Sequence, residues 1–258
     1  MLEKIDIHLT DHCNLNCKGC THFSPLSEEF YLDYETFKKD IDRMAQLSNG
    51  RIKFIFLLGG EPLLHPNITQ FFPHTRFLFP KTRIVVITNG ILLNNQDENF
   101  WQSCKDNKIE LWVSDYTLQV DYKKFEAKAK EYGVFLGYTS TAKSADNKKL
   151  WTKYKLDIKG EQYYANSFKN CTVKNCVTLK KGKLYTCPTI AHIEHFNKFF
   201  NQNLEVSEFD YIDIYKIQDY DALCAAMVKP VPFCRYCKPL EFEQCYWEPS
   251  KKDINEWI

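Results

Sequence analysis

Cys13, Cys17 and Cys20 stand in a C-x3-C-x2-C spacing within His12-Cys13-Asn14-Leu15-Asn16-Cys17-Lys18-Gly19-Cys20. Three thiolates on one short loop can ligate three irons of a [4Fe–4S] cluster, since thiolates are the usual cluster ligands. The fourth iron is then left without a protein ligand, open to a small molecule that carries an amine and a carboxylate. The competing reading is a zinc loop, or three unrelated thiols. Zinc prefers four ligands, often in C-x2-C pairs, and His12 would have to serve beside Cys13, which strains the geometry. A second set fills the last third of the chain: Cys171, Cys176, Cys187, Cys224, Cys234, Cys237 and Cys245. A hairpin combined with the C-x2-C of Cys234-Arg235-Tyr236-Cys237 can build a four-thiolate zinc site, and the sequence does not separate zinc from iron there.

These residues need elements to hold them. Ile5 to Leu9 alternates apolar and polar residues and reads as a strand that leads directly into the first cysteine loop. Asp33 is placed to cap a helix running to about Ser48, with Phe37, Ile41, Met44 and Leu47 on one face and Gly50 as its stop. Ile52 to Leu58, Arg83 to Thr88, Ile109 to Ser114 and Val134 to Tyr138 are short apolar runs of the kind buried on both faces of a parallel sheet. Tyr122, Phe125, Ala129 and Tyr132 share a helix face, and Gly133 ends that helix. Alternating strands and helices imply crossovers and a parallel sheet or barrel. Five such units are too few for a complete eight-stranded barrel, so the expectation is an α/β fold built as a partial (β/α) TIM-like barrel. Three polar turns fall at its strand ends: Gly59-Gly60-Glu61-Pro62, Thr88-Asn89-Gly90 and Ser114-Asp115. Barrel folds place active sites at such ends, although each turn alone also suits a plain cap or turn.

The cysteine spacing, followed one strand later by Gly59-Gly60-Glu61-Pro62, resembles the radical S-adenosylmethionine (SAM) superfamily. The resemblance implies a [4Fe–4S] cluster on Cys13, Cys17 and Cys20 and SAM as cosubstrate. It implies that Gly59, Gly60 and Glu61 bind the methionine amino group, and that Thr88, Asn89 and Ser114 contact the ribose and carboxylate. Glycines let backbone carbonyls approach a ligand, and a carboxylate favours an ammonium. The family usually has an aromatic residue before the third cysteine, to meet the adenine. Here that residue is Gly19, which leaves His22 or Phe23 as candidates. The resemblance further implies reduction by a one-electron donor such as flavodoxin or ferredoxin, and a 5′-deoxyadenosyl radical that abstracts hydrogen. Cys171, Cys187, Cys234 and Cys237 resemble the smaller "twitch" form of the SPASM extension. There they would hold a second, auxiliary [4Fe–4S] cluster, with Cys176 as an alternative to Cys171 and Cys104, Cys224 and Cys245 as packing residues. Residues 1–150 are then the barrel, and 151–258 a linker and small α+β auxiliary-cluster domain. Length and spacing look most like a twitch-type dehydrogenase of an aminocyclitol, which implies a carbohydrate- or polyol-like substrate; a peptide modifier is the rival.

In the C-terminal part, residues 139–170 read as a polar bridge with one strand near Tyr154 to Ile158. Val177 to Leu179 and Leu184 to Thr186 flank Lys180-Lys181-Gly182-Lys183 as a hairpin. Ile193, Phe196, Phe199 and Phe200 suggest one helix, and Leu223, Ala226 and Met227 another. The 258 residues carry 34 basic and 33 acidic side chains, a balance that argues against a dedicated nucleic-acid binder. No apolar stretch approaches membrane-spanning length. Acidic residues at Glu3 and Asp6 stand where a signal peptide needs a basic segment, so the chain reads as cytoplasmic. Eleven cysteines, an odd number, in a reducing compartment point to metal binding over disulfides. Among titratable groups, His22 and His65 lie beside the two loops, His192 and His195 read as surface or packing residues, and Asp115 and Tyr116 are further acid–base candidates.

Overall fold

The computed structural model describes residues 2–116, 120–139 and 150–258; residues 140–149 of the expected bridge lie outside them. The chain opens with β1 (Lys4–Thr10), α1 (Tyr34–Ser48), β2 (Phe54–Gly59), α2 (Phe71–Leu78), β3 (Arg83–Thr88), α3 (Glu98–Asp106), β4 (Ile109–Val113), α4 (Tyr122–Tyr132) and β5 (Leu136–Tyr138). These five strands are parallel neighbours in the order β5-β4-β3-β2-β1. This is the partial TIM-like (β/α) arrangement that the alternating pattern predicts. Asp33 caps α1 as expected, its carboxylate accepting the Thr36 amide at 2.9 Å. The helix ends at Ser48 as expected, with Asn49 in place of Gly50 as its left-handed cap at φ 48°.

Side-chain alternation along β1 sets the layers. Ile5, Ile7 and Leu9 join a core of Ile55, Leu57, Ile84, Val86 and Leu111 from the strands with Phe37, Met44, Phe71, Phe100 and Phe125 from the helices. Successive strand side chains point to opposite faces, so Asp6, His8 and Thr10 turn the other way and are nonetheless buried. Along that face the carboxyl of Asp6 is pushed up to about 6 by burial.

The C-terminal part contributes β6 (Leu150–Leu156), α5 (Tyr164–Asn170), β7 (Thr178–Lys180), β8 (Lys183–Tyr185), α6 (Pro188–Phe200), β9 (Tyr211–Asp213), α7 (Tyr220–Met227) and β10 (Cys237–Tyr246). The expected hairpin is β7–β8, turned by Lys181 and Gly182 at φ 50° and 72°. It does not stand apart from the first half: β7 pairs parallel with β1, so the sheet runs on through β7, β8 and β9 to eight strands. The strand expected near Tyr154 is β6, which starts earlier, ends at Leu156 and pairs antiparallel with β10. α6 begins at Pro188, ahead of its apolar repeat, since proline at the first helical position costs no hydrogen bond. A second core of Phe23, Leu26, Leu156, Ile193, Phe196, Phe233 and Trp257 lies under α6. Among the described residues, no helix is long and apolar enough to cross a membrane.

One side chain fastens the hairpin to α1. Asp40 accepts the Gly182 amide at 2.7 Å and the Tyr215 hydroxyl at 2.6 Å. Asp40→Ala leaves a buried amide without a partner and is expected to lower the unfolding free energy in urea by about 1–3 kcal/mol. A loss within error of zero would show that the hairpin is held by its pairing with β1 alone.

Candidate functional site

The C-terminal ends of β1 to β4 meet at one cleft of about 730 Å³. Cys13, Cys17, Cys20, Gly59, Gly60, Glu61, Thr88, Asn89 and Ser114 all line it, with His22, Tyr116 and Trp151. Every residue that the sequence assigns to a first site therefore borders the same space. Phe23, one of two candidates to meet an adenine, does not; it is buried in the second core. His22 remains on the cleft wall, and the aromatic surfaces of Tyr116 and Trp151, 6.0 Å apart, join it there. Sequence reasoning missed Trp151, because it enters from β6, far along the chain.

Glu61 organises this end of the sheet. It is fully buried. Its carboxylate accepts the Thr88 hydroxyl at 2.7 Å, the Asn89 amide at 2.8 Å and the Leu63 amide at 3.1 Å. Its carbonyl accepts the Thr10 hydroxyl at 2.9 Å. The sequence reading gives this carboxylate to a ligand ammonium, whereas here it binds the β3 turn to the β2 turn. Gly60 cannot be larger, since a Cβ there would lie 2.1 Å from the His12 carbonyl. Burial pushes the Glu61 carboxyl up to about 7, against the three hydrogen bonds that favour its charge.

The three thiols are poor acids as they stand. Burial raises Cys13 to about 11 and Cys17 to about 12, and raises Cys20 as well. All are free of disulfides. Three desolvated sulfurs on one loop need a bound cation to be held as thiolates, which is the donor chemistry of an iron–sulfur site.

The loop is also clasped from outside. Trp247 Nε1 donates to Cys17 Sγ at 3.1 Å, and Trp257 Nε1 donates to the Cys20 carbonyl at 2.9 Å. The Lys18 amide donates to the Glu248 carbonyl and the Ser250 amide to the Asn16 carbonyl. This explains Gly19: at φ 62°, a Cβ there would stand 2.9 Å from the Glu256 carbonyl, so no aromatic side chain fits.

Cys171, Cys187, Cys234 and Cys237 together line one small cavity beside the start of α6. Cys176 lies elsewhere, its sulfur accepting Lys4 Nζ at 3.4 Å. Cys104 is buried in the main core as a packing residue, and Cys224 packs against its edge. Cys245 lies on β10 opposite Trp151.

A buried polar cluster adjoins the cleft. His8 Nδ1 donates to Asp11 at 2.9 Å, His195 Nε2 to Asp11 at 3.1 Å, and Lys180 Nζ to His192 Nδ1 at 3.1 Å. His8 stacks on His192 at 3.7 Å, and its ring is 4.7 Å from that of His22. Burial opposes ionisation of Asp11, but the bonds from His195 and His8 hold its carboxyl well below the usual range, while burial lowers His8 and His192. His192 is wholly buried, and with His195 it ties α6 to the end of β1. Nothing in the local sequence signals this pairing. His65 turns away from the cleft to the Leu32 carbonyl.

Residues 7–115 match the family model described as the radical SAM superfamily. The GTP 3′,8-cyclase of Chlorobaculum tepidum is 30% identical over 95 residues, which cover 37% of this chain and 28% of that protein. The S-adenosyl-L-methionine-dependent 2-deoxy-scyllo-inosamine dehydrogenase of Niallia circulans is 30% identical over 98 residues, covering 37% and 38%. The chain therefore spans well under half the length of these curated relatives. Among solved structures, BtrN in complex with AdoMet and 2-DOIA superposes with a TM-score of 0.51 at 16% identity, over 92% of this chain and 93% of that one. That likeness is one of fold.

Glu61 gives a pH test. Its folded value, about 7, lies above its ordinary 4.5, so its contribution to stability is fully present below about pH 4.5 and lost as pH rises through 7. In urea titrations of the metal-free protein, the wild type is expected to lose about 3 kcal/mol relative to Glu61→Gln across that window. A difference that stays constant with pH would show that the carboxyl is already ionised in the fold.

Proposed function

This chain carries a radical SAM superfamily domain at residues 7–115, and on that premise we propose that it reductively cleaves SAM to drive the two-electron oxidation of a carbohydrate- or polyol-like substrate. The observation that carries the reading is the convergence of Cys13, Cys17 and Cys20 with Gly59, Gly60, Thr88, Asn89 and Ser114 on one cleft. Three sulfur ligands fit a [4Fe–4S] cluster that keeps one iron for the amine and carboxylate of SAM. When bound, these groups supply one electron and a 5′-deoxyadenosyl radical that removes a hydrogen atom from a C–H bond.

The protein's part is to bind and orient. The Gly59–Gly60 backbone offers carbonyls to the methionine ammonium. Asn89, whose Nδ2 donates to Asn14 Oδ1 at 2.8 Å, and Ser114 present polar atoms to the ribose and carboxylate. Tyr116 and Trp151 give the cleft apolar walls that shield a reactive fragment from water. After hydrogen abstraction the substrate still has one electron and one proton to lose. Cys171, Cys187, Cys234 and Cys237 would hold a second [4Fe–4S] cluster, which would supply an acceptor for that electron. Support comes from the four cysteines lining one cavity and from the dehydrogenase named above as a relative. The first electron comes from an external one-electron donor of the flavodoxin or ferredoxin class.

Chain purified and reconstituted without oxygen is expected to hold about eight irons with matching sulfide. Cys13→Ala abolishes SAM cleavage. Cys234→Ala loses about half the iron and keeps cleavage, but no longer yields oxidised product. One or two zincs and no iron would overturn the whole reading. Deuterated polyols and aminocyclitols are expected to pass label into 5′-deoxyadenosine; label arriving from peptides alone would sink the substrate assignment and leave the radical chemistry standing.

A further inference from the structure

Trp247 lies 230 positions from Cys17 in sequence, outside the radical SAM domain, yet its indole N–H points at that residue's sulfur at 3.1 Å. The indole does not owe its place to this bond. Residues Cys17 and Pro249 form an isolated β-bridge, and the backbones of Lys18 and Glu248, and of Ser250 and Asn16, are hydrogen-bonded. The Lys18 and Glu248 side chains form an ion pair, and the Tyr116 ring packs on the indole at 5.7 Å. The Tyr116 hydroxyl also bonds the same sulfur. Cys13, by comparison, receives its N–H from Leu15 of its own loop at 3.3 Å.

A hydrogen bond donated to a ligand sulfur favours the reduced, more negative form of an iron–sulfur cluster and so raises its reduction potential. We infer that Trp247 is a positioning residue that makes the cluster on Cys13, Cys17 and Cys20 easier to reduce, through its N–H bond to Cys17. This rests on the proposed function, since it takes those cysteines as cluster ligands. A cluster that has to be reduced before SAM can be cleaved gains from such a bond. Because the donor comes from the far end of the chain, electron delivery depends on the C-terminal segment being folded over the loop.

The test is a potentiometric titration of the reconstituted full chain, read by electron paramagnetic resonance. The signal that changes on adding SAM identifies the cluster with the open iron. Trp247→Phe, which keeps a ring and removes the N–H, is expected to retain the wild-type iron content and to titrate at a more negative potential. Glu248→Gln, which weakens the same segment without touching the N–H, is expected to titrate as the wild type. A wild-type midpoint in Trp247→Phe overturns the inference, as does an equal shift in Glu248→Gln. If Trp247→Phe takes up no iron, benzothienylalanine at position 247 keeps the fused ring without the N–H and faces the same two outcomes. Wild-type protein with no SAM-responsive signal would instead sink the assignment of the three cysteines and the inference with it.

Discussion

Buried Glu61 joins its own turn, the β3 turn and the end of β1 at one point. It holds the β3 turn through Thr88 and Asn89, its own turn through Leu63, and, through its carbonyl, the end of β1 at Thr10. Parallel strands have no hairpin turns to fix their relative heights; their ends are set by register and by whatever bridges the loops. With a Cβ at Gly60 excluded by the His12 carbonyl, the β2 turn presses directly against the start of the cysteine loop. The position of the three thiols relative to the polar strand ends is therefore fixed by backbone contact and one carboxylate. A carboxyl placed so deep resists ionisation, and three donors within 3.1 Å offset part of that cost.

The same end of the molecule is closed by residues that lie at the opposite end of the sequence. Trp247, Glu248, Ser250 and Trp257 all meet the loop of residues 13–20. The loop has no regular secondary structure of its own to satisfy its backbone, and buried amides and carbonyls need partners. The C-terminal segment supplies them. On the other flank, Asp11 draws His8, His195 and Lys180 together, joining α6 and the β7–β8 turn to the residue that begins the loop. The loop is thus bounded by the sheet, by α6 and by the chain terminus.

How much of this was legible in sequence follows from the range of each signal. The parallel strands were, because apolar runs such as Ile52 to Leu58 mark burial on both faces. The turn motifs were, because glycine pairs and polar tripeptides at strand ends are local features. The destination of the β7–β8 hairpin was not: Val177 to Leu179 looks the same whether it pairs with β1 or stands in a separate unit. β10 was unreadable for another reason. Its ten residues include Pro239 and a register shift between Lys238 and Glu243, so neither alternation nor an apolar run survives. The hydrogen bonds that Glu61 makes to the β3 turn were not legible, because a carboxylate in a turn reads as open and only the fold shows its burial. The histidine–aspartate cluster had no signal, since its members come from β1, its following loop, β7 and α6.

The two cysteine sets are also bound to each other. Trp257 gives its indole N–H to the Cys20 carbonyl, and its own carbonyl accepts the Leu156 amide at 2.6 Å. Leu156 stands opposite Cys237 in the β6–β10 pairing. One buried tryptophan therefore links Cys20 of the first loop to Cys237 of the second set through two hydrogen bonds and one strand pair. A small cavity between them is lined by Gly19, Thr21 and Phe23 and by Cys171 and Cys237. A side chain with under 2% exposure and bonds at both ends has little freedom to move. The spacing between Cys20 and Cys237 is consequently a property of the fold, and a change that displaces one is transmitted to the other through Trp257.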